Sequence, residues 1–269
     1  MSVVVSHLFV YPLKSARGVC VPHAQVTPRG LAGDRRWMVV DSSGVFVTGR
    51  THPHMLLLRT QQTESGLQLQ APDGRQRLIR RPQPDGPTAV VQVWNDQVVG
   101  HMAAPEDSAW LSSVLGLTCR LVYMADQTLR QVDEAHAPKG DVVSFADGFP
   151  LLLTTDGSLR DLNERLDAPV EMSHFRPNLV LSGVSAFAED HWTEVRIGEA
   201  VFGVAKPCAR CVLTTVNPTT AVRHASGEPL RTLATYRKGP GGILFGQNLT
   251  VRRGGRIAVG DPVTVITAR

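Results

Sequence analysis

The chain has 269 residues, 42% of them hydrophobic and 19% charged, and a formal net charge of +4. That length supports a real core in one large domain or two modest ones, and the composition is that of a folded globular protein. The positive residues are scattered, apart from short clusters such as Arg80-Arg81 and Arg252-Arg253, so no basic stripe with interleaved aromatics argues for a nucleic-acid polymer, while the mild excess suits an anionic small ligand.

The first residues, Met1-Ser2-Val3-Val4-Val5-Ser6-His7, show neither a basic leader nor a long apolar run, and the expectation is no signal peptide. No stretch approaches the ~18 apolar residues of a spanning helix, so no membrane partner is expected. Cys20, Cys119, Cys208 and Cys211 are too few to staple a fold of this size, which makes a reducing cytoplasm the expected compartment.

In chain order, residues 1–103 read as β. Val3 to Tyr11, Trp37 to Asp41, Gly44 to Thr48, Gly66 to Gln70 and Ala89 to Val93 are short strand-like runs separated by Gly, Pro, Asp or Asn, the pattern of a barrel or sandwich. The character changes near Ala103-Ala104-Pro105-Glu106-Asp107-Ser108, where proline and acidic residues open a helix continuing to Leu117. A second helix is expected from Ser158 to Leu166, capped by Asp156 or Ser158, with Leu159, Leu162 and Leu166 on one face. Strands follow at Leu179 to Leu181, Glu194 to Ile197, Ala200 to Val204, Val212 to Val216 and Val263 to Ile266, with a short helix at Leu230 to Arg237. The fold class is mainly β with a few helices, in two lobes, 1–103 and 104–269, packed as one body.

The most informative segment is Lys206-Pro207-Cys208-Ala209-Arg210-Cys211, followed by Val212-Leu213-Thr214-Thr215-Val216. A thiolate is a soft metal ligand and a nucleophile, and neighbouring cations favour it. Read as a strand, the β-branched run puts Cys211 at a strand entrance. Structural zinc would need a second ligand pair, and a thioredoxin-like pair would open a helix. Two inert core cysteines remain the plain alternative. Against it, Lys206 and Arg210 flank the pair, and an anion is their natural partner.

Motifs along the whole chain resemble the MOSC-domain molybdoenzymes, the family of the mitochondrial amidoxime-reducing component and of bacterial reductases of N-hydroxylated bases. They are Tyr11-Pro12-Leu13-Lys14-Ser15, Gly33-Asp34-Arg35-Arg36-Trp37, Phe175-Arg176-Pro177-Asn178, the Lys206 to Pro218 segment, Gly227-Glu228-Pro229-Leu230, Phe245-Gly246-Gln247-Asn248 and Val259-Gly260-Asp261-Pro262-Val263. Each alone is weak; together, in this order, they are specific. The resemblance implies an N-terminal β-barrel domain packed on a β-barrel MOSC domain, with molybdenum cofactor (molybdenum on molybdopterin) held between them.

By position in the motif, Cys211 matches the thiolate that binds molybdenum, and softness suits the pairing; Cys208 is then its neighbour. The resemblance assigns the cofactor's phosphate and pterin to Lys14, Ser15 and Arg35 from the first lobe and to Arg176 and Arg210 from the second, where Arg can pair bidentately with phosphate and Lys supplies a point charge. Arg36 could exchange roles with Arg35, but alternation along a strand lets only one face inward. Asp147-Gly148-Phe149-Pro150 matches a segment lining the pterin and metal. Gly148 and Phe149 stand where the family has hydroxyl-bearing residues, leaving backbone donors only, and Ala209 replaces a frequent Ser. Asn248 matches a contact to the cofactor, and Asn178 reads as a turn residue. Asp147 is the expected acid that relays a proton to a leaving hydroxyl.

The implied activity is two-electron reduction of the N–O bond in amidoximes, hydroxylamines or N-hydroxylated bases. The cofactor carries the hard chemistry, and the protein positions it. No cysteine run has ferredoxin spacing, so a separate electron donor is expected, either ferredoxin-like or a flavin or haem protein. The alternatives are a sulfur carrier of the MOSC type, with cysteine persulfide, and a cofactor-binding module without turnover.

Overall fold

The structure is a computed structural model that describes residues 2–268. It is mainly β, with three α-helices among the described residues. The second lobe is built on a nine-stranded sheet ordered Val263–Ala268, Trp192–Ile197, Ala200–Arg210, Gly242–Arg253, Leu151–Thr155, Leu179–Ser182, Val4–Val10 and Val19–Val21, with Lys238–Gly239 pairing to the long strand Gly242–Arg253. Among its pairings only Leu151–Thr155 with Leu179–Ser182 is parallel. Parallel neighbours need a crossover, and the helix Asp156–Asn163 supplies it. Thr155, not Asp156 or Ser158, caps that helix, accepting at its side chain from the Ser158 amide at 3.1 Å.

The first lobe holds a four-stranded sheet ordered Trp37–Val40, Arg120–Tyr123, Asp96–Met102 and Thr88–Val93, and a meander of Arg59–Thr63, Gly66–Gln70 and Gln76–Arg80. The run Gly44 to Thr48 forms only single bridges, Val45 to Gln92 and Phe46 to Val40.

The division at residue 104 is corrected by the packing. The helix Pro105–Leu115 and the strand Arg120–Tyr123 stay with the first lobe, because Leu111, Cys119 and Leu121 bury among Trp37, Leu67 and Leu69. The change in sequence character there marks a helix start, not a change of lobe. The lobes also share chain: Val4–Val10 pairs with Leu179–Ser182 in the large sheet, and His23–Thr27 pairs with Gly255–Ala258. This interleaving seats the Tyr11-to-Ser15 segment, which leaves the large sheet directly, in the cleft between the lobes.

A second correction concerns the segment after Cys211. The strand does not start there. It ends there: Ala200–Arg210 is a single long strand, and Val212–Thr215 is a turn of 3-10 helix. β propensity loses to local hydrogen bonding. Thr214 donates to the Cys211 carbonyl from both its amide, at 3.0 Å, and its hydroxyl, at 2.9 Å, while the Thr215 hydroxyl donates to Val212 O at 2.7 Å. Short hydroxyl side chains that satisfy nearby carbonyls in this way compete with a sheet ladder.

Candidate functional site

The cleft between the lobes collects residues from seven stretches of chain. Lys14, Ser15, Arg35 and Arg50 come from the first lobe side; Asp147, Gly148 and Phe149 from the connecting segment; His174, Phe175, Arg176 and Asn178, then Cys208, Arg210, Cys211 and Thr214, and Asn248, from the second. Every residue expected at the site lines this cleft except Ala209, which is exposed beyond it. Alternation along the strand Ala200–Arg210 accounts for that: Cys208 and Arg210 share a face, and Ala209 takes the other.

Backbone strain concentrates here. Ser15, Arg35 and Arg176 have φ of 69°, 47° and 54°, and Trp94, at the rim, has 57°. Side chains rarely adopt this region, and such residues cluster where a site demands an orientation.

The left wall is a stack. The Tyr11 ring lies between two guanidiniums, with Arg35 Cζ 4.0 Å and Arg176 Cζ 4.4 Å from its centroid. Arg35 is held by Asp34 at 2.6 Å and by Asn178 Oδ1 at 3.0 Å. Asn178 also donates to Asp34 Oδ1 at 3.1 Å and to Phe9 O at 3.1 Å, and accepts from the Leu152 amide at 3.2 Å. It is more than a turn residue, for it ties the two lobes together. Burial pushes the Asp34 carboxyl above its ordinary value, against the opposing pull of Arg35. Burial likewise raises the Tyr11 phenol to about 12, opposed by Arg176 and Arg35.

Among the described residues Arg176 has no carboxylate partner; its Nη1 donates to Ala16 O at 2.8 Å. Burial lowers its pKa to about 10, with Tyr11 opposing. The neighbouring Phe175 anchors it by stacking on Phe245 with centroids 3.9 Å apart. Burying such a ring stabilises the loop by about 2 kcal/mol.

Opposite stands an ion-paired cluster around Asp147. Lys14 Nζ donates to Asp147 Oδ1 at 2.6 Å and to Phe145 O at 2.7 Å. Arg50 Nη2 donates to Asp147 Oδ2 at 2.5 Å, and Arg50 Nε lies 3.3 Å from Cys211 Sγ. Enclosure would raise the Asp147 carboxyl, but Lys14 and then Arg50 outweigh it and hold the group well below the carboxylate range. Its side chain is 55% exposed, into the cleft, so solvent screens part of that pull; the direction stands on two contacts within 2.6 Å. Lys14 is 4% exposed, and burial lowers its pKa to about 8 against the attraction of Asp147. Asp147 is therefore an anion at neutral pH, and the group near its titration point is Lys14.

Arg50 and Trp94 escaped the sequence reading. Trp94 Nε1 donates to Asp147 Oδ1 at 3.3 Å, and Arg50 covers its ring at 4.6 Å. Nothing in the sequence marked Arg50, because its partners lie 97 and 161 residues away along the chain.

On the second lobe, Arg210 Nη1 approaches Cys208 Sγ at 2.9 Å and its Nη2 donates to Phe175 O at 2.7 Å, while its buried Nε has no partner among the described residues. Asn248 Nδ2 reaches Pro207 O at 3.5 Å. A Cβ at Gly148 would meet nothing within 4 Å, so the wall there is open. The cleft thus gathers five cations, Lys14, Arg35, Arg50, Arg176 and Arg210, with Asp147 on its wall and Asp34 buried behind Arg35, beside the thiols of Cys208 and Cys211. Such a site calls for an anionic ligand with a soft centre.

A model of the MOSC N-terminal beta barrel domain matches residues 2–118, and one of the MOSC domain matches residues 140–264. Mitochondrial amidoxime-reducing component 1 of Mus musculus is 35% identical over 97% of this chain and 82% of its own length. The human protein of that name is 34% identical over 97% of this chain and 82% of its own, and that of Danio rerio 36% over 98% and 85%. The chain belongs to the MOSC family. The two matched segments meet along the cleft: Lys14, Ser15, Arg35 and Arg50 fall in the first, and Asp147 through Asn248 in the second.

Proposed function

We propose that this MOSC protein is a molybdenum-cofactor-dependent reductase of N-hydroxylated compounds. The observation that carries the reading is the excess of cations in the cleft around Cys211: among the described residues Arg176 has no carboxylate partner and the buried Arg210 Nε no partner at all, and there is open space at Gly148. These fit a phosphorylated pterin with a thiophilic metal. The amidoxime-reducing relatives support the same reading by their names.

In this reading Cys211 Sγ holds the metal. Lys14, Ser15, Arg35, Arg176 and Arg210 hold the phosphate and pterin, with Asn248 and the backbone of Gly148 and Phe149 completing the wall. The cofactor, when bound, supplies the two-electron reduction. Replacing N–OH by N–H releases water and consumes two protons, and the site must deliver them. Asp147 stays ionised between Lys14 and Arg50, so one proton comes from the Lys14 ammonium, with a pKa of about 8, and the second from water entering the open cleft, which also restores the ammonium between turnovers. Asp147 orients Lys14 and gives the substrate's hydroxyl an acceptor. The electrons come from a separate donor, a ferredoxin-like, flavin or haem protein, in the reducing cytoplasm that four free cysteines fit. No helix among the described residues is long and apolar enough to cross a membrane.

The test is molybdenum content and turnover of protein purified from a host that makes the cofactor. About one molybdenum per chain, with benzamidoxime reduced by wild type and not by Cys211→Ala, is the expected result. Persulfide on a molybdenum-free chain would instead mark a sulfur carrier.

A further inference from the structure

His174 stands in a wall common to two cavities. One is the cationic cleft; the other is a neighbouring cleft of about 530 Å³ between the loop at Leu166 to Val170 and the segment from Asn217 to Thr232. The second is large enough for the body of a small substrate. Its wall is partly apolar, with Pro169, Val170 and Val222.

The tautomer of His174 is fixed by one contact. Its Nδ1 lies 2.9 Å from the Thr214 carbonyl, which can only accept. Nδ1 therefore carries the proton, and in the neutral ring Nε2 is a bare acceptor. Burial holds the ring's pKa below the ordinary histidine value, with the Thr214 carbonyl opposing. Nε2 has no protein partner among the described residues, so it is left to whatever enters the cavities. Thr214 in turn bonds the Cys211 carbonyl through amide and hydroxyl. The ring, on its own turn Met172–His174, is thus held by the turn of backbone that follows the proposed metal ligand.

We infer that His174 Nε2 accepts a hydrogen bond from an N–H of the substrate and so selects N-hydroxylated amidines and guanidines, which carry that donor beside the N–O bond. Dialkylhydroxylamines, which lack it, leave the acceptor unpaired. The inference rests on the reductase reading and adds to it a positioning residue and a substrate preference. The body of the substrate extends past His174 into the neighbouring cleft.

The experiment compares the molybdenum-loaded wild type with His174→Phe and His174→Gln, on benzamidoxime and on an N,N-dialkylhydroxylamine. In His174→Phe the KM for benzamidoxime rises about fivefold to tenfold with kcat little changed, the loss of one neutral hydrogen bond. The KM for the dialkylhydroxylamine stays constant, and His174→Gln, which keeps an acceptor, restores the benzamidoxime value. An unchanged KM for benzamidoxime, or an equal rise for both substrates, overturns the inference. Nitrogen-15 histidine spectra of the cofactor-free protein give a readout independent of turnover: Nδ1–H is expected at neutral pH, and an Nε2–H tautomer overturns the assignment. Failure of the reductase reading shows separately, as a wild type that neither holds molybdenum nor reduces either compound.

Discussion

Arg50 reaches across the lobe boundary to Cys211, with Nε 3.3 Å from Sγ, while its Nη2 holds Asp147 at 2.5 Å. One guanidinium thus sets the spacing between the thiol and the carboxylate. Its side chain is 18% exposed and that of Asp147 55%, so the contact to sulfur is the more sheltered and solvent screens the ion pair.

Removing that fork separates the two groups. Arg50→Met should lower kcat/KM for benzamidoxime by roughly 10- to 100-fold, the range expected for losing a charge-assisted bond. Arg50→Lys should recover little of it, because a single ammonium cannot span both partners. Steady-state kinetics at matched molybdenum content checks this; a fully active Lys variant would refute the bridging role.

Asn178 makes the lobes one body. It is 1% exposed and satisfies Asp34, Arg35, Phe9 and Leu152 at once. Asn178→Ala leaves the buried Asp34 short of a donor and the Leu152 amide without its acceptor. A loss of about 2–3 kcal/mol in unfolding free energy is expected, read by urea denaturation of the cofactor-free protein. Asn178→Asp should be worse still, since it sets a second carboxylate against Asp34.

Lys14 gives the cofactor-free protein a distinctive pH dependence. In the unfolded chain its amine keeps its proton to about 10.5, whereas the folded protein releases it near 8. Between those values the unfolded state binds more protons, so stability rises with pH across that window. Below pH 8 the buried ammonium costs stability in full. Relative to Lys14→Met, wild type should gain of order 3 kcal/mol from pH 8 to 10.5 and change little outside it. Parallel denaturation curves for the two proteins across the window would contradict the depressed pKa.

Much of the fold was legible because its signals are local. Gly66–Gln70 lies between turn residues and alternates cleanly, and the helix at Pro105–Leu115 announces itself by proline and acidic residues. The segment after Cys211 misled because Val, Leu and Thr read as strand, while the hydroxyls of Thr214 and Thr215 folded it into a turn. The lobe boundary was hidden for another reason. Val4–Val10 looks like any strand, and only its pairing with Leu179–Ser182 reveals which lobe owns it. At the site, cations in motifs were found, but Arg50 and His174 were not, because a role created by docking distant segments leaves no mark in the neighbouring residues.

Gly148 allows a gain rather than a loss. A Cβ there meets nothing within 4 Å, and the position is not among the glycines with positive φ, so a side chain enters without strain. Gly148→Ser should be neutral or stabilising by up to about 1 kcal/mol, because the substitution narrows the unfolded ensemble. Its hydroxyl would project into the cleft beside Asp147 and add a donor that the wild type supplies only from backbone. Molybdenum retained after gel filtration should therefore rise in Gly148→Ser, and Gly148→Ala should show the stability change without that retention. Equal retention in the two variants would mean that the open wall at Gly148 does not face the bound group.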